Sequence, residues 1–375
     1  MTPTGTSDAS SANPGRSGLT KRWPETIRKP PAEVRLVYLD LNQWIMLSKA
    51  MAGHREGARH QAALEVCLRA ANSGTVVFPL SDSTYGEVAK IGQHRQRRAL
   101  REVMEMLSDY YVVMSRSDIT AHEVEYLLDR VLGPSQSPVS TMDYLDRGVA
   151  RAFGIVGGFR VRDESGGDTT EELRAAYPGG SEVFDALLST AELMLQRSVL
   201  DGPGTAEEET ELRKLGWRPG GASHVAETRM RQEVEQAARF SAGDLQWRKD
   251  RIRDVITARE LLIELNDTLS RGLGARGAQL ADLGSTIEER RAMFDSLPSL
   301  DVAVTIKASY HRNPNHRWTV NDIYDIDAMG STVRYCDCVV TDRAVASHIR
   351  RAHLDDRLGT TVLSNLDELA TLLCS

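Results

Sequence analysis

The stretch Val34-Arg35-Leu36-Val37-Tyr38-Leu39-Asp40 is apolar, rich in strand-forming residues and closed by an acid. It reads as a buried β-strand, and its reading decides the fold class. Leu41–Ala52 follows it. A helix is then expected from about Gly57 to Asn72, with Ala62, Val66 and Ala70 at helical spacing and Asn72-Ser73-Gly74 as the stop. Thr75–Leu80 reads as a second strand and Thr84–Leu107 as a helix. Tyr110–Ser115 reads as a third strand and Thr120–Val131 as another helix. Strand alternating with helix implies an α/β fold with a mostly parallel sheet.

At Gly133-Pro134-Ser135 the pattern changes. Residues 134–300 offer few strands and several long helical stretches, among them Ser181–Leu200, Ala222–Phe240 and Leu245–Leu269. The α/β pattern returns with a helix at Thr319–Arg334, a strand at Asp337–Thr341 and a helix at Ala344–Arg351. A strand at Thr360–Leu363 and a closing helix at Asp367–Leu373 follow. The expected organisation is a tail over 1–32, one half of an α/β domain over 33–133, a helical insertion over 134–300 and the second half over 301–375.

Composition bounds the function. Of the 375 residues 41% are hydrophobic and 26% charged, and no apolar run is long enough to span a bilayer. The Ser-, Thr-, Pro- and Gly-rich beginning lacks the apolar core of a signal peptide, so a disordered tail on a cytoplasmic protein is expected. Cys67, Cys336, Cys338 and Cys374 have no zinc spacing and read as thiols. The histidine pairs His311/His316 and His348/His353 are five apart, which is not the spacing of a helical zinc site. The glycines of Gly154–Gly158 lack the strand that a dinucleotide fingerprint requires. A net charge of −7 argues mildly against a nucleic-acid partner, although a carboxylate metal site would itself add negative charge that ions neutralise.

The acids carry the chemistry. Asp40 ends the first strand, and in open α/β sheets ligands sit beyond the carboxyl ends of strands. Asn42 follows at the same edge, and a helix cap is the plainer role for Asp40. Glu87 lies three residues after Thr84, a capping-box spacing, yet also just past the second strand. Thr319-Val320-Asn321-Asp322 is another capping box, which gives Asp322 a structural role. Asp325 lies one turn on along the same face, and Asp327 points elsewhere. Asp342 ends its strand as Asp40 ends the first, whereas Asp337 begins that strand and belongs at the opposite edge. Several carboxylates gathered at one edge are costly unless cations compensate them. Hard divalent ions do so through oxygen ligands and can drive phosphodiester hydrolysis.

At these residues the chain resembles the PIN-domain family of nucleases. The resemblance rests on Val37-Tyr38-Leu39-Asp40, on Glu87, and on Asp325-Ile326-Asp327-Ala328-Met329 leading to Val339-Val340-Thr341-Asp342. Asp325 precedes Thr341 by sixteen residues, the family's spacing, and this selects Asp325 over its neighbours. Tyr335-Cys336-Asp337, and Pro79-Leu80-Ser81-Asp82 with Arg97-Arg98, are similar to a bacterial branch of PIN-like proteins. The resemblance covers roughly residues 34–130 and 317–375. It implies a PIN-like sheet holding one or two Mg or Mn ions on Asp40, Glu87, Asp325 and Asp342, with RNA as the usual substrate. Many relatives are toxins held by an antitoxin, a pattern from which the long insertion departs.

Two basic stretches are candidate substrate contacts. One is His94-Arg95-Gln96-Arg97-Arg98 with Arg101, expected on the helix that carries Glu87. The other is the loop Tyr310–Trp318, with His311, Arg312 and Arg317. Each is either a solvated surface or a track for phosphates and bases. The leading expectation is a metal-dependent endoribonuclease, with Asn42, Asp322 and Asp337 as auxiliary groups. The alternatives are a catalytically silent PIN-like scaffold that binds a regulatory protein or RNA, and a structure-specific DNase.

Overall fold

The computed structural model of the protein describes residues 23–155, 159–214, 220–242 and 245–375. The chain is mixed α/β and 64% helical. Its strands are β1 (Ile27–Arg28), β2 (Arg35–Leu39), β3 (Val76–Val77), β4 (Tyr111–Val113), β5 (Met142–Asp143), β6 (Leu145–Arg147), β7 (Cys338–Val340) and β8 (Thr361–Leu363). The central sheet runs β3-β2-β7-β8 and is parallel throughout. β4 extends it past β3, because Leu80 donates to the Tyr111 carbonyl at 2.9 Å and accepts from the Val113 amide at 2.9 Å. The two ends of the chain therefore build one sheet, with β7 inserted beside β2.

Every residue of β2 after Arg35 is buried, as a strand covered on both faces requires. Alternation sends Leu36 and Tyr38 to one core with Val339, Ile323, Ile326 and Ile349. It sends Val37 and Leu39 to the other with Val340, Trp44, Leu47 and Phe78. The residue period of two thus divides one strand between two hydrophobic layers.

The middle of the chain is helical, but it also contributes β5 and β6, which the sequence did not announce. β6 pairs antiparallel with β4, and β5 pairs parallel with β1. The later insertion helices form a third core. There Phe240, Ile252, Ile256, Leu265 and Leu269 pack on Val124, Leu127 and Leu128 of the Arg116–Leu132 helix and on Leu300 and Val304. No helix among the described residues is long and apolar enough to cross a membrane.

Two boundaries differ from expectation. The tail ends sooner than residue 32: Trp23 packs edge-on against Tyr144 and Tyr335 at 5.3 and 4.9 Å, and Ile27 is buried. Residues 1–22 lie outside the described residues, as do 156–158 of the glycine-bearing stretch. The single helix expected over Thr84–Leu107 is two, Asp82–Val88 and His94–Ser108. Gln93 is extended at the start of the second, so the two helices are separate elements.

Candidate active site

Parallel strands in register deliver their carboxyl ends to one edge. Leu39 pairs with Val340, so Asp40 and Thr341-Asp342 leave adjacent strands side by side. Each of the two aspartates caps the helix that follows its strand. Asp40 Oδ1 accepts from the Leu41 amide at 2.7 Å, and Asp342 Oδ1 accepts from the Val345 amide at 2.8 Å. These bonds fix one oxygen of each carboxylate, and the positive helix N-termini favour the charge. The other oxygen of Asp40 is buried with no hydrogen-bond partner. Thr341 Oγ1, on the residue before Asp342, is buried and unpartnered as well.

Glu87 reaches this edge from the Asp82–Val88 helix. Its expected capping role belongs to other residues. Ser81 caps the helix and Thr84 returns the bond, with Thr84 N to Ser81 Oγ at 3.1 Å and Ser81 N to Thr84 Oγ1 at 3.3 Å. Glu87 is left a buried acid whose carboxylate accepts no hydrogen bond among the described residues. Asp325 reaches the edge from the Val320–Thr332 helix. Gly86 lets these two helices meet, because a Cβ there would lie 2.8 Å from Cε1 of Tyr324.

The four acids sense one another. Burial pushes Asp40 up to about 6, with Asp342 adding to the shift and the Leu41 amide opposing it. Burial pushes Glu87 up to about 8, with Asp40 adding to it and Lys90 opposing it. Asp325 is pushed up to about 9 by burial and then by the charges of Asp40, Glu87, Asp342 and Asp322. Lys90 lies close by; it donates to Asn321 Oδ1 at 2.6 Å and sits 4.4 Å over the Tyr324 ring. Tyr310 borders the cluster, its hydroxyl held protonated by burial and by Asp325, Asp322, Asp342 and Asp40. Lys90 was not singled out from sequence, and Tyr310 entered only as the first residue of the candidate contact stretch Tyr310–Trp318. Lys90 stands three residues past Glu87, a spacing that could have flagged it.

Other expected site residues are placed elsewhere. Asp337 accepts from the Leu36 amide at 2.8 Å at the start of β7, the opposite edge of the sheet, and has no part in this cluster. Asp322 closes a capping box with Thr319, taking its amide at 2.6 Å and its hydroxyl at 2.9 Å. Asn42 is exposed in the first turn of the Leu41–Met51 helix. Arg97 is buried and donates to the Pro203 carbonyl at 3.4 Å, and Arg101 is paired with Asp201 at 2.9 Å and Glu105 at 2.7 Å. Both bind the insertion to the domain rather than face a substrate. Arg98 is exposed beside Glu102, on a helix separate from that of Glu87. His311 is buried, with Nε2 at 2.8 Å from Glu233 Oε2, and is closed to substrate. Arg312 and Arg317 are exposed.

Among the described residues no three His, Cys, Asp or Glu side chains form a ready-made metal cluster. The donor set still fits a hard cation. It is all oxygen, its four acids outnumber the charge that Lys90 brings, and it includes a buried carboxylate oxygen without a partner. Among the described residues Glu87 and Asp325 accept no hydrogen bonds, so their carboxylate oxygens are not committed to other partners. Comparison of the chain with protein-family models, with curated proteins and with solved structures finds no match.

Proposed function

We propose that the protein is a Mg- or Mn-dependent endoribonuclease built on a PIN-like sheet. The observation that carries this reading is the gathering of Asp40, Glu87, Asp325 and Asp342 at one edge of a parallel sheet, with three of them pushed up by burial and mutual repulsion. Asp40 and Asp342, fixed by their cap bonds, would position the ion, and Glu87 and Asp325 would turn in to complete its ligand set. An ion bound there supplies Lewis acidity at the scissile phosphate and lowers the pKa of a water molecule. Lys90, next to Glu87 and Asp325, partly neutralises the cluster and holds their helices in place through Asn321. The Tyr310 hydroxyl, kept protonated, is a hydrogen-bond donor for a phosphate oxygen at the same edge.

The test is cleavage of single-stranded RNA with Mg or Mn by wild type, Asp40→Asn and Asp325→Asn. Both variants are expected to lose at least about 100-fold in rate, since even outer-shell partners of metal ligands cost 10- to 100-fold. An unchanged melting temperature would show that the fold is intact. Unchanged cleavage in both variants sinks the proposal.

One observation favours a second reading, a silent scaffold that binds a partner. The insertion is locked onto the domain by a buried ionic network far more complete than the acid edge. A saturable Mn-dependent thermal shift, lost in Asp40→Asn, separates the two readings in favour of a metal site.

A further inference from the structure

Beside the acid edge lies a groove of 530 Å³ lined by Arg253, Thr305, Ser309, Arg312, His348, Arg351 and Arg357. Its walls are the ends of the helices Pro298–Arg312, Arg343–Arg351 and Leu354–Leu358, with Arg253 contributed by Leu245–Arg259. Four arginines converge on it. Two acids answer them, Asp301 and Asp295. Asp301 is buried beneath and paired with both Arg253, at 2.5 Å, and Arg357; Asp295 is paired with Arg253 at 2.8 Å. Arg312 and Arg351 are exposed and make no ion pair among the described residues. Arg357 is held below the usual guanidinium range by burial and by the neighbouring Arg253 charge, so the arginines crowd one another. A surplus of fixed positive charge in a concave, hydroxyl-lined groove favours an anion.

A contact between two rings joins the groove's lining to the acid edge. His348 lines it, and its ring lies 5.3 Å from that of Tyr310, which borders the carboxylates. His316 stacks on Tyr310 at 4.1 Å and 5°, and Trp318 meets Tyr310 edge-on at 5.5 Å. Asp342 caps the helix that carries Arg351, nine residues on, which separates acid and arginine by about 13 Å along the helix axis. That span suits a polymer with more than one phosphate rather than a single phosphate group.

We infer that this groove binds the phosphodiester backbone of single-stranded RNA, feeding it past His348 and Tyr310 to the carboxylate edge. The inference rests on the nuclease reading for the direction of the strand, but the groove can be tested without catalysis. Four arginines line the groove and His348 is the one aromatic ring among its lining residues, so recognition there is by charge and insensitive to base sequence. Arg312 and Arg351 are the informative positions, because their replacement breaks no ion pair.

The experiment measures binding of a short fluorescent uridine homopolymer by anisotropy, in chelator, over a series of salt concentrations. Wild type and an Arg312→Gln/Arg351→Gln double variant are compared. The double variant is expected to bind about tenfold more weakly, with its salt slope reduced by about 1.4 for the loss of two phosphate contacts. Equal affinity and slope would overturn the inference. So would displacement of the RNA by a poly-glutamate peptide at equal charge concentration, which would assign the groove to acidic polypeptides. Hydrolysis of bis(p-nitrophenyl) phosphate with Mn keeps the two proposals apart. This small ester does not need the groove, so the double variant should turn it over while Asp40→Asn does not. Loss of RNA binding in the double variant, with no ester turnover even in wild type, would leave the groove standing and the nuclease reading fallen.

Discussion

Asp325 and Asp327 stand two residues apart on one helix and live in opposite electrostatic worlds. Asp325 faces Asp40, Glu87 and Asp342 and is pushed up to about 9. Asp327 is as deeply buried, yet Arg229 and Arg116 hold it well below the ordinary carboxylate range. Around Asp327 the compensation is extensive. Arg116 also reaches Glu260 at 3.0 Å, Lys307 links Glu260 at 2.5 Å to Glu233 at 3.1 Å, and Arg259 meets Glu233 at 2.9 Å. The π-helical turn Glu260–Glu264 aims Glu260 into this network. Burial alone therefore does not mark a functional acid. What distinguishes the two regions is whether the protein supplies the countercharge, and at the sheet edge it supplies little.

The contrast can be broken from the paired side first. Asp327→Asn removes the acid that the buried Arg116 and Arg229 share, leaving them Glu260 and Glu264 respectively, and removing one partner of a buried pair costs about 3–5 kcal/mol. Urea unfolding should show a loss of that order, with the insertion loosened from the domain. A change below about 1 kcal/mol would mean that the network contributes little.

The pH dependence of stability sharpens the comparison. Asp40, Glu87 and Asp325 have folded pKa values raised above their unfolded ones, so the folded state binds more protons than the unfolded state. Stability without divalent ions should then fall as pH rises from about 4 through about 9, by up to about 1.4 kcal/mol per pH unit for each group titrating. Asp327 has the opposite sign. Its contribution is present above the unfolded carboxylate pKa and is lost only as pH falls through its depressed folded value. Saturating Mg should flatten the alkaline decline and leave the acid limb unchanged. Denaturant melts across pH, with and without Mg, check both statements.

Gly86 gives a smaller effect that links packing to the site. Gly86→Ala forces a Cβ against the Tyr324 ring, and such overpacking costs about 1–3 kcal/mol. Because this contact brings the Glu87 and Asp325 helices together, the same variant should bind Mn more weakly than wild type. Equal Mn affinity, measured by calorimetry, would detach the helix contact from the acid edge.

Much of this was legible in the sequence where local rules govern. Asp40 and Asp342 follow buried strands, and strand-end geometry alone places them together. Asp337 belonged at the far edge by the same rule, and it lies there. The spacing of Thr319 and Asp322 announced the cap. Glu87 was harder, because two capping boxes overlap: Ser81 with Thr84, and Thr84 with Glu87. The observed choice of Ser81 depends on where the chain leaves β3, which is a tertiary matter. The helix break near Lys90 carried no proline or left-handed glycine to betray it. Arg97, Arg101 and His311 looked like free bases because their partners, Pro203, Asp201 and Glu233, lie in distant parts of the chain. Long-range ion pairing has no sequence period, so no local reading would have found it.

As a metal site, the Asp40–Glu87–Asp325–Asp342 edge would take a divalent cation in place of the countercharge it lacks. Calorimetric titration of Mn into wild type and Asp40→Asn at pH 7, in two buffers of different ionisation enthalpy, tests it most directly. Saturable binding to wild type is expected, with protons released as Glu87 and Asp325 ionise, and no such binding to Asp40→Asn. Absence of saturable binding to wild type, or equal binding to both proteins, would contradict it.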